Sequence, residues 1–185
     1  MFEQLLESIA QGLERLAIPY MLIGGQAVLL YGEPRLTRDI DVTIGAGPER
    51  LSEVLDWVRG RGWQVLVDVP AEFVARTMVL PCLDPSSGVR IDLIFSFSPY
   101  ERQALQRARK VAIGSTQVCF ASIEDLVIHK VFAGRPRDLE DVRGILLKNR
   151  GIDLEYVQTW LREFDLSLGE KLLERFEKLR LEGQS

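Results

Sequence analysis

The sequence predicts an α+β fold in which a mixed β-sheet is flanked by helices and followed by a C-terminal helical segment. Two observations indicate this. Short β-branched runs alternate with helical patterns as far as residue 121, and from residue 122 onward only helical patterns occur. A chain of 185 residues favours one domain, or one domain with a small appendage. We therefore expect a core over residues 1–121 and a helical region over 122–185, packed on or beside that core.

The first third of the chain provides four predicted elements. Apolar residues recur at helical spacing over residues 2–17, which predicts a helix, and Tyr20–Ile23 is a short apolar run typical of a buried strand. The pair Gly24-Gly25 ends that strand, and residues 26–31 follow as a short helix. Asp39–Ile44 alternates acids with apolar residues, as a strand with one buried face does.

The middle of the chain continues with strands and helices. Pro48 stands at the first position of a predicted helix over 48–59. We predict strands at 63–67, 72–80 and 89–95 from their β-branched and aromatic content, with residues 81–88 (PCLDPSSG) as the turn between the last two. A helix over 100–109 and a hairpin of residues 110–113 and 117–120 complete this region.

Four helices are predicted after the hairpin, at residues 122–133, 137–149, 153–164 and 168–181. Ser122 and Asp153 precede two of them as N-cap residues, because their side-chain oxygens can accept hydrogen bonds from the first free N–H groups of a helix.

Composition narrows the possible functions. The chain is 46% hydrophobic and 27% charged, which is typical of a globular protein. Its net charge of −4 excludes wholesale binding of polyanions, so any contact with nucleic acid must come from local patches. Two cysteines, an amphipathic rather than signal-like N-terminus and the lack of a bilayer-length apolar run predict a cytoplasmic protein with no membrane partner.

Two strands carry acids on what should be their solvent-facing sides. Asp39 and Asp41 alternate with Ile40 and Val42, so both carboxylates lie on one face, with Cα atoms roughly 6–7 Å apart. The strand VRIDLIF places Asp92 opposite its own apolar face, together with Arg90 and Ile94. If the two strands are neighbours, three carboxylates converge.

Three converging carboxylates need a counter-charge. Two like charges about 4 Å apart repel by about 4 kcal/mol at an effective dielectric of about 20. Oxygen ligands favour Mg²⁺ or Mn²⁺ over zinc, and Mg²⁺ held by few carboxylates commonly binds substrate phosphates as well. Gly24-Gly25 lies at a strand-to-helix junction, where backbone N–H groups favour an anion such as a phosphate.

The spacing of these residues resembles the signature of the nucleotidyltransferase superfamily, which has the polymerase-beta-like fold. The match consists of Gly24-Gly25, thirteen intervening residues, Asp39-Ile40-Asp41-Val42 and a later strand aspartate, Asp92. With Arg35 and Arg38 before the acids, and the later segment EDLVIHKVFAGRPRDLEDV at 124–142, the sequence is similar to minimal nucleotidyltransferases of the AbiEii toxin type.

The resemblance implies an enzyme that moves a nucleoside monophosphate from an NTP to an acceptor hydroxyl and releases pyrophosphate. Asp39, Asp41 and Asp92 would be catalytic and hold two Mg²⁺ (or Mn²⁺) ions. Gly24, Gly25, Arg35 and Arg38 would bind the nucleotide, as would Asp138 and a further catalytic residue, Lys130. The acceptor would be an RNA end, such as that of a tRNA, or a protein, and an antitoxin or a second copy of the chain would be a partner.

Other interpretations stay open from the residues alone. The acids could be solvated on an exposed strand, and Asp92 could simply pair with Arg90. Arg35 and Arg38 could balance the nearby acids, and Lys130 and Asp138 could belong to ordinary helical ion pairs. At the level of function, the alternatives are an aminoglycoside-type small-molecule nucleotidyltransferase, a non-catalytic nucleotide-binding regulator, or a helical partner-binding protein.

Overall fold

The computed structural model describes residues 2–33, 37 and 39–182. Within them the chain forms a seven-stranded mixed sheet and nine α-helices, which confirms the predicted α+β class. The strands are β1 (Tyr20–Ile23), β2 (Asp39–Ile44), β3 (Gln64–Val65), β4 (Val79–Asp84), β5 (Val89–Phe95), β6 (Arg109–Ile113) and β7 (Thr116–Phe120). The helices are α1 (Phe2–Arg15), α2 (Gly24–Tyr31), α3 (Leu51–Gly60), α4 (Pro70–Thr77), α5 (Pro99–Gln106), α6 (Ile123–Ala133), α7 (Pro136–Lys148), α8 (Leu154–Leu168) and α9 (Leu172–Glu182).

The chain divides into two compact units. Residues 1–23 and 37–120 form the first, which we call the sheet unit because it contains all seven strands. Residues 24–36 and 121–185 form the second, the helical unit, which contains α2 and α6–α9. The short helix α2 thus groups with the C-terminal helices, although it follows β1 directly in the chain.

The sheet unit has the strand order β3-β4-β5-β2-β1-β7-β6. The pairs β2/β5 and β1/β7 are parallel, and the other four neighbouring pairs are antiparallel. One face of the central strands is fully buried and carries Ile40, Val42 and Ile44 from β2 beside Ile91, Leu93 and Phe95 from β5. The alternation seen in the sequence therefore correctly assigns the buried face of both strands.

The predicted strand over residues 72–80 is wrong, because most of this segment is the helix α4. Pro70 occupies the first turn, where its missing N–H costs nothing, and the helix ends at Met78 in a left-handed conformation. The first half of the predicted turn over residues 81–88 is also strand, because β4 runs from Val79 through Pro81 to Asp84. Pro81 is tolerated there because β4 borders β3, an outer strand of only two residues.

The helical unit has its own apolar core. Val142 and Ile145 of α7, Val157 and Leu161 of α8, and Phe176 of α9 are all fully buried. The two predicted N-caps are present: the Ser122 side chain accepts a hydrogen bond from the Asp125 N–H, and that of Asp153 accepts one from the Tyr156 N–H. None of the helices in the described part of the chain combines the length and apolar character that a membrane span requires.

Candidate active site

The three strand aspartates lie on one face of two neighbouring strands. β2 and β5 are parallel and adjacent, and their register pairs Asp41 directly with Asp92. Asp39 lies two residues earlier on the same face of β2, in register with Arg90. Because Ile40 and Val42 and their β5 partners Ile91 and Leu93 are buried on the opposite face, all three carboxylates belong to the other side of the sheet. We call this group of Asp39, Asp41 and Asp92 the acid face.

Solvent reaches the acid face unequally. Asp39 is exposed, Asp41 is partly buried, and the Asp92 side chain retains 18% of its accessible surface. Thr43 follows on the same face of β2 and is fully buried. Exposure on this face of β2 thus decreases from Asp39 through Asp41 to Thr43.

Arg90 pairs with Asp92 beside the acid face. Its Nε donates a hydrogen bond to Asp92 Oδ1 over 2.9 Å, and half of its side-chain surface stays exposed. The hydrogen bond to Asp92 raises the pKa of Arg90, and the negative charges of Asp92, Asp39 and Asp41 add to this effect. The pairing that the sequence left open for Asp92 is therefore formed. The sequence already indicated this pair, because Arg90 stands two residues before Asp92 and therefore lies on the same strand face.

The carboxylates fit a hard divalent cation by their chemistry, since three oxygen-ligand side chains share one face. They are not arranged as a ready-made site: in the described residues no three aspartate, glutamate, histidine or cysteine side chains form a group that could hold a metal ion. A metal ion bound through Asp92 Oδ1 would compete with the hydrogen bond from Arg90.

The glycine pair begins α2 immediately after the end of β1. Ile23, the last residue of β1, is paired with Asp41, and Gly24 is the next residue in the chain. Gly24 has φ +64°, a left-handed conformation in which a side chain would be strained. Both glycines are partly exposed. A glycine is therefore favoured at the first position of α2, where both glycines are partly exposed.

Lys130 and Asp138 lie in the helical unit, within a buried ion-paired network. Lys130 Nζ lies 2.7 Å from Asp138 Oδ1 and 2.8 Å from Asp141 Oδ2, and all three side chains are at least 92% buried. Arg135 Nε lies 2.6 Å from Asp138 Oδ2. Burial alone would raise the pKa of Asp138, but the hydrogen bonds from Arg135 and Lys130 outweigh it and lower that pKa. We call these four residues the buried network.

The buried network links the end of α6 to the start of α7. Lys130 and Asp138 thus form an ion pair, as one interpretation of the sequence suggested, but the pair is buried and does not lie on the surface. Asp141 belongs to the same segment 124–142 and is the second carboxylate that pairs with Lys130. Its spacing from Asp138 places both acids on one face of α7. The nucleotide-binding role of Lys130 and Asp138 stays a prediction. Arg35 and Arg38, also predicted to bind nucleotide, lie outside the described residues.

The first acids of α6 also have structural partners in the helical unit. Glu124 Oε1 accepts a hydrogen bond from the Asp153 N–H over 3.1 Å, and Asp125 Oδ1 accepts one from the Tyr156 hydroxyl over 2.9 Å. Both acids are buried. The acidic pair that opens the segment 124–142 thus fastens the start of α8 to the start of α6.

Known structures share this fold. A nucleotidyltransferase-like protein from Paracoccidioides brasiliensis matches with a TM-score of 0.57 and 18% identity, over 94% of this chain and 92% of that one. The antibiotic-resistance factor ANT(2'')-Ia matches with a TM-score of 0.55 and 18% identity, over 98% and 90% of the two chains. The lincosamide antibiotic adenylyltransferase LnuA matches with a TM-score of 0.53 and 16% identity, over 74% and 91%.

Sequence comparison gives the family. No curated protein matches the chain. Residues 1–182, which include the acid face and the buried network, match the family described as "Nucleotidyltransferase of unknown function (DUF6036)". The similarity to AbiEii-type toxins stays a prediction. Since the match extends over nearly the whole sequence, this chain belongs to that nucleotidyltransferase family, and it is a transferase of phosphorus-containing groups.

Proposed function

We propose that the protein transfers a nucleoside monophosphate from an NTP to the hydroxyl group of an RNA end or a protein, with Mg²⁺ or Mn²⁺ held at the acid face. The observation that carries this proposal is the direct register of Asp41 with Asp92 on neighbouring parallel strands, with Asp39 on the same face. Three carboxylates on one face supply the oxygen ligands that a hard divalent cation prefers.

Asp39, Asp41 and Asp92 would hold the metal, with two ions in the complete site. When bound, the metal neutralises phosphate charge and makes an acceptor hydroxyl easier to deprotonate. In the reaction, the acceptor oxygen attacks the α-phosphorus of the NTP, the bond from that phosphorus to the oxygen bridging to the β-phosphate breaks, and pyrophosphate leaves. Asp92 accepts the proton of the attacking hydroxyl.

Gly24 and Gly25 would bind phosphate oxygens through their N–H groups at the start of α2. Gly24 suits this role because it is partly exposed and has no Cβ to obstruct a ligand. We further assign Arg35 and Arg38 to the triphosphate, as charged donors that match phosphate geometry. The ammonium group of Lys130 is paired with Asp138 and Asp141, so it would contact the nucleotide only if an NTP competes with these two acids. We therefore assign Lys130 and Asp138 a supporting role, in which they hold the helical unit in the form that binds the nucleotide.

Two classes of acceptor are candidates. The resemblance to AbiEii-type toxins favours an RNA end or a protein, with the enzyme acting in the cytoplasm as the toxin of a toxin–antitoxin pair. An antitoxin or a second copy of the chain would then be the protein partner. A small-molecule acceptor is the second candidate, because two proteins that share the fold are named for antibiotics. ANT(2'')-Ia is described as an antibiotic-resistance factor, and LnuA as a lincosamide antibiotic adenylyltransferase.

A transfer assay tests the proposal. Purified protein is incubated with Mg²⁺ and each α-³²P-labelled NTP, with total RNA, total protein or a panel of aminoglycosides in separate reactions. We expect label in one acceptor fraction, and a rate reduced by about 100-fold or more in Asp41→Asn, because loss of even an outer-shell partner of a metal ligand costs about 10- to 100-fold. Asp68→Asn is the matched control, because Asp68 is an exposed aspartate in the loop between β3 and α4. Metal-dependent NTP binding without label in any fraction would favour a nucleotide-binding regulator instead.

A further inference from the structure

The C-terminal end of α2 is held by side chains from the end of α7, within the helical unit. Asn149 Nδ2 donates hydrogen bonds to the Tyr31 carbonyl and to the Ile145 carbonyl, each over 2.8 Å. Lys148 Nζ donates to the Gly32 carbonyl over 3.1 Å and lies 2.8 Å from Glu33 Oε1. We call Lys148 and Asn149 the α2 clamp.

Backbone packing reinforces the α2 clamp. A Cβ added to Gly32 would lie 3.0 Å from Val28 Cγ1 and 3.3 Å from Ile145 Cγ1, so the end of α2 approaches α7 too closely for a larger residue to fit without adjustment. The Tyr31 hydroxyl donates a further hydrogen bond to the Ala121 carbonyl over 3.0 Å. The end of α2 is thus fixed by hydrogen bonds to both of its neighbouring segments and by close packing.

A helix as short as α2 depends on such contacts. It has eight residues, and the last four carbonyl groups of any helix lack partners inside that helix. Helices shorter than about 12 residues are marginal in isolation. Asn149 supplies a donor for one of the terminal carbonyls, and the Lys148 ammonium group places a positive charge at the negative end of the helix dipole.

The two clamp residues do not contribute equally. The Lys148–Glu33 ion pair is exposed, with 44% and 71% of the side-chain surfaces accessible, and exposed pairs contribute little to stability. Asn149 is partly buried and joins the carbonyls of two helices with one amide group. Asn149 is therefore the principal residue of the clamp.

We propose that Asn149, assisted by Lys148, is a positioning residue that fixes α2 so that the N–H groups of Gly24 and Gly25 are preorganised for NTP phosphates. This inference rests on the proposed function, which assigns phosphate binding to those glycines. The clamp acts through α2 and does not itself contact the nucleotide. Loss of the clamp weakens NTP binding. It leaves the chemical step nearly unchanged, because the acid face lies on β2 and β5 and not on α2.

The test compares NTP affinity and kinetics in clamp variants, at a temperature well below every melting transition. In Asn149→Asp, a carboxylate replaces the donor opposite two carbonyl oxygens, and we expect the Kd and KM for NTP to rise about tenfold with kcat within about twofold of wild type. Lys148→Met should raise both constants about twofold. Gly32→Ala, which adds one methyl group against Ile145 without changing charge, serves as a second variant if Asn149→Asp does not fold.

Two control variants make similar chemical changes at positions outside the α2 clamp. Gln103→Glu converts an exposed amide on α5 to a carboxylate, and Lys171→Met removes an exposed lysine that also pairs with a glutamate, Glu174. Both should bind NTP as wild type does. A lowered melting temperature of Asn149→Asp and Gly32→Ala with unchanged Kd and KM would overturn the inference, because it would show a purely structural clamp. If wild-type protein binds no NTP at all, the proposed function fails, and the inference fails with it.

Discussion

The acid face and the buried network are both clusters of charged side chains, but they differ in their access to solvent. The buried network sets Lys130 and Arg135 against Asp138 and Asp141, and three of its four side chains are nearly inaccessible. In the acid face Arg90 pairs with Asp92, while Asp39 is exposed to solvent and Asp41 is partly buried. Side chains that are buried and paired with one another are hard for a ligand to reach, whereas carboxylates open to solvent can bind a cation.

The comparison also separates two kinds of evidence for function. Lys130 and Asp138 match the family pattern in sequence, yet the structure shows that the protein itself satisfies their charges. The acid face matches the pattern and is open to solvent at Asp39. A match to a motif is therefore stronger evidence for ligand binding where a ligand can reach the side chains.

The largest effect is expected from breaking the buried network. Lys130→Met removes the ammonium group and leaves Asp138 and Asp141 buried without it, which should lower the free energy of unfolding by about 3–5 kcal/mol. Chemical denaturation of wild type and variant measures this difference. Lys178→Met, a substitution on α9, is the matched control. A change below about 1 kcal/mol would mean that the network contributes little to stability.

A smaller effect is expected from titrating the network with acid. The folded-state pKa of Asp138 is lowered, so its charged form stabilises the fold above the unfolded-state pKa, and this contribution is lost as pH falls through the folded-state value. The loss should begin near pH 4, where aspartate in an unfolded chain takes up a proton. It should be smaller than the effect of Lys130→Met, because a protonated Asp138 can still form hydrogen bonds.

Denaturation of wild type and Asp138→Asn between pH 6 and pH 3 measures this dependence. Asparagine does not titrate, so the stability advantage of wild type should shrink as the solution is acidified through about pH 4. A constant difference across this range would contradict the prediction. Asp68→Asn, at an exposed site in the sheet unit, provides the reference for acid effects that do not involve the buried network.

The smallest effect is expected at the acid face. Arg90→Gln removes the guanidinium that pairs with Asp92, which should destabilise the metal-free protein by no more than about 1 kcal/mol because half of the Arg90 side chain is exposed. Added Mg²⁺ should then raise the melting temperature of the variant more than that of wild type, since the Arg90 guanidinium no longer competes for the Asp92 carboxylate. Arg102→Gln, on the α5 surface, is the control. An equal or smaller Mg²⁺ effect in Arg90→Gln would show that Arg90 does not oppose metal binding.

Local patterns in the sequence determined much of the sheet unit. The alternation in Asp39–Ile44 and in Val89–Phe95 assigned both buried faces, because strand periodicity places every second side chain on the same side. The same reasoning failed at residues 72–80, where β-branched residues suggested a strand and Pro70 started a helix. Strand propensity is a weak preference that a well-placed helix start can override.

Only the tertiary structure decided how these elements combine. The sequence could state that three carboxylates would converge if β2 and β5 were neighbours, but the pairing of Asp41 with Asp92 across some fifty residues is a property of the sheet order. The ion pairs of Lys130 with Asp138 and Asp141, and the hydrogen bond from Asn149 to Tyr31, likewise depend on how α2, α6 and α7 pack. Residue types and periodicity determine which groups a strand or helix presents, whereas the partners of those groups depend on long-range packing, which no local pattern encodes.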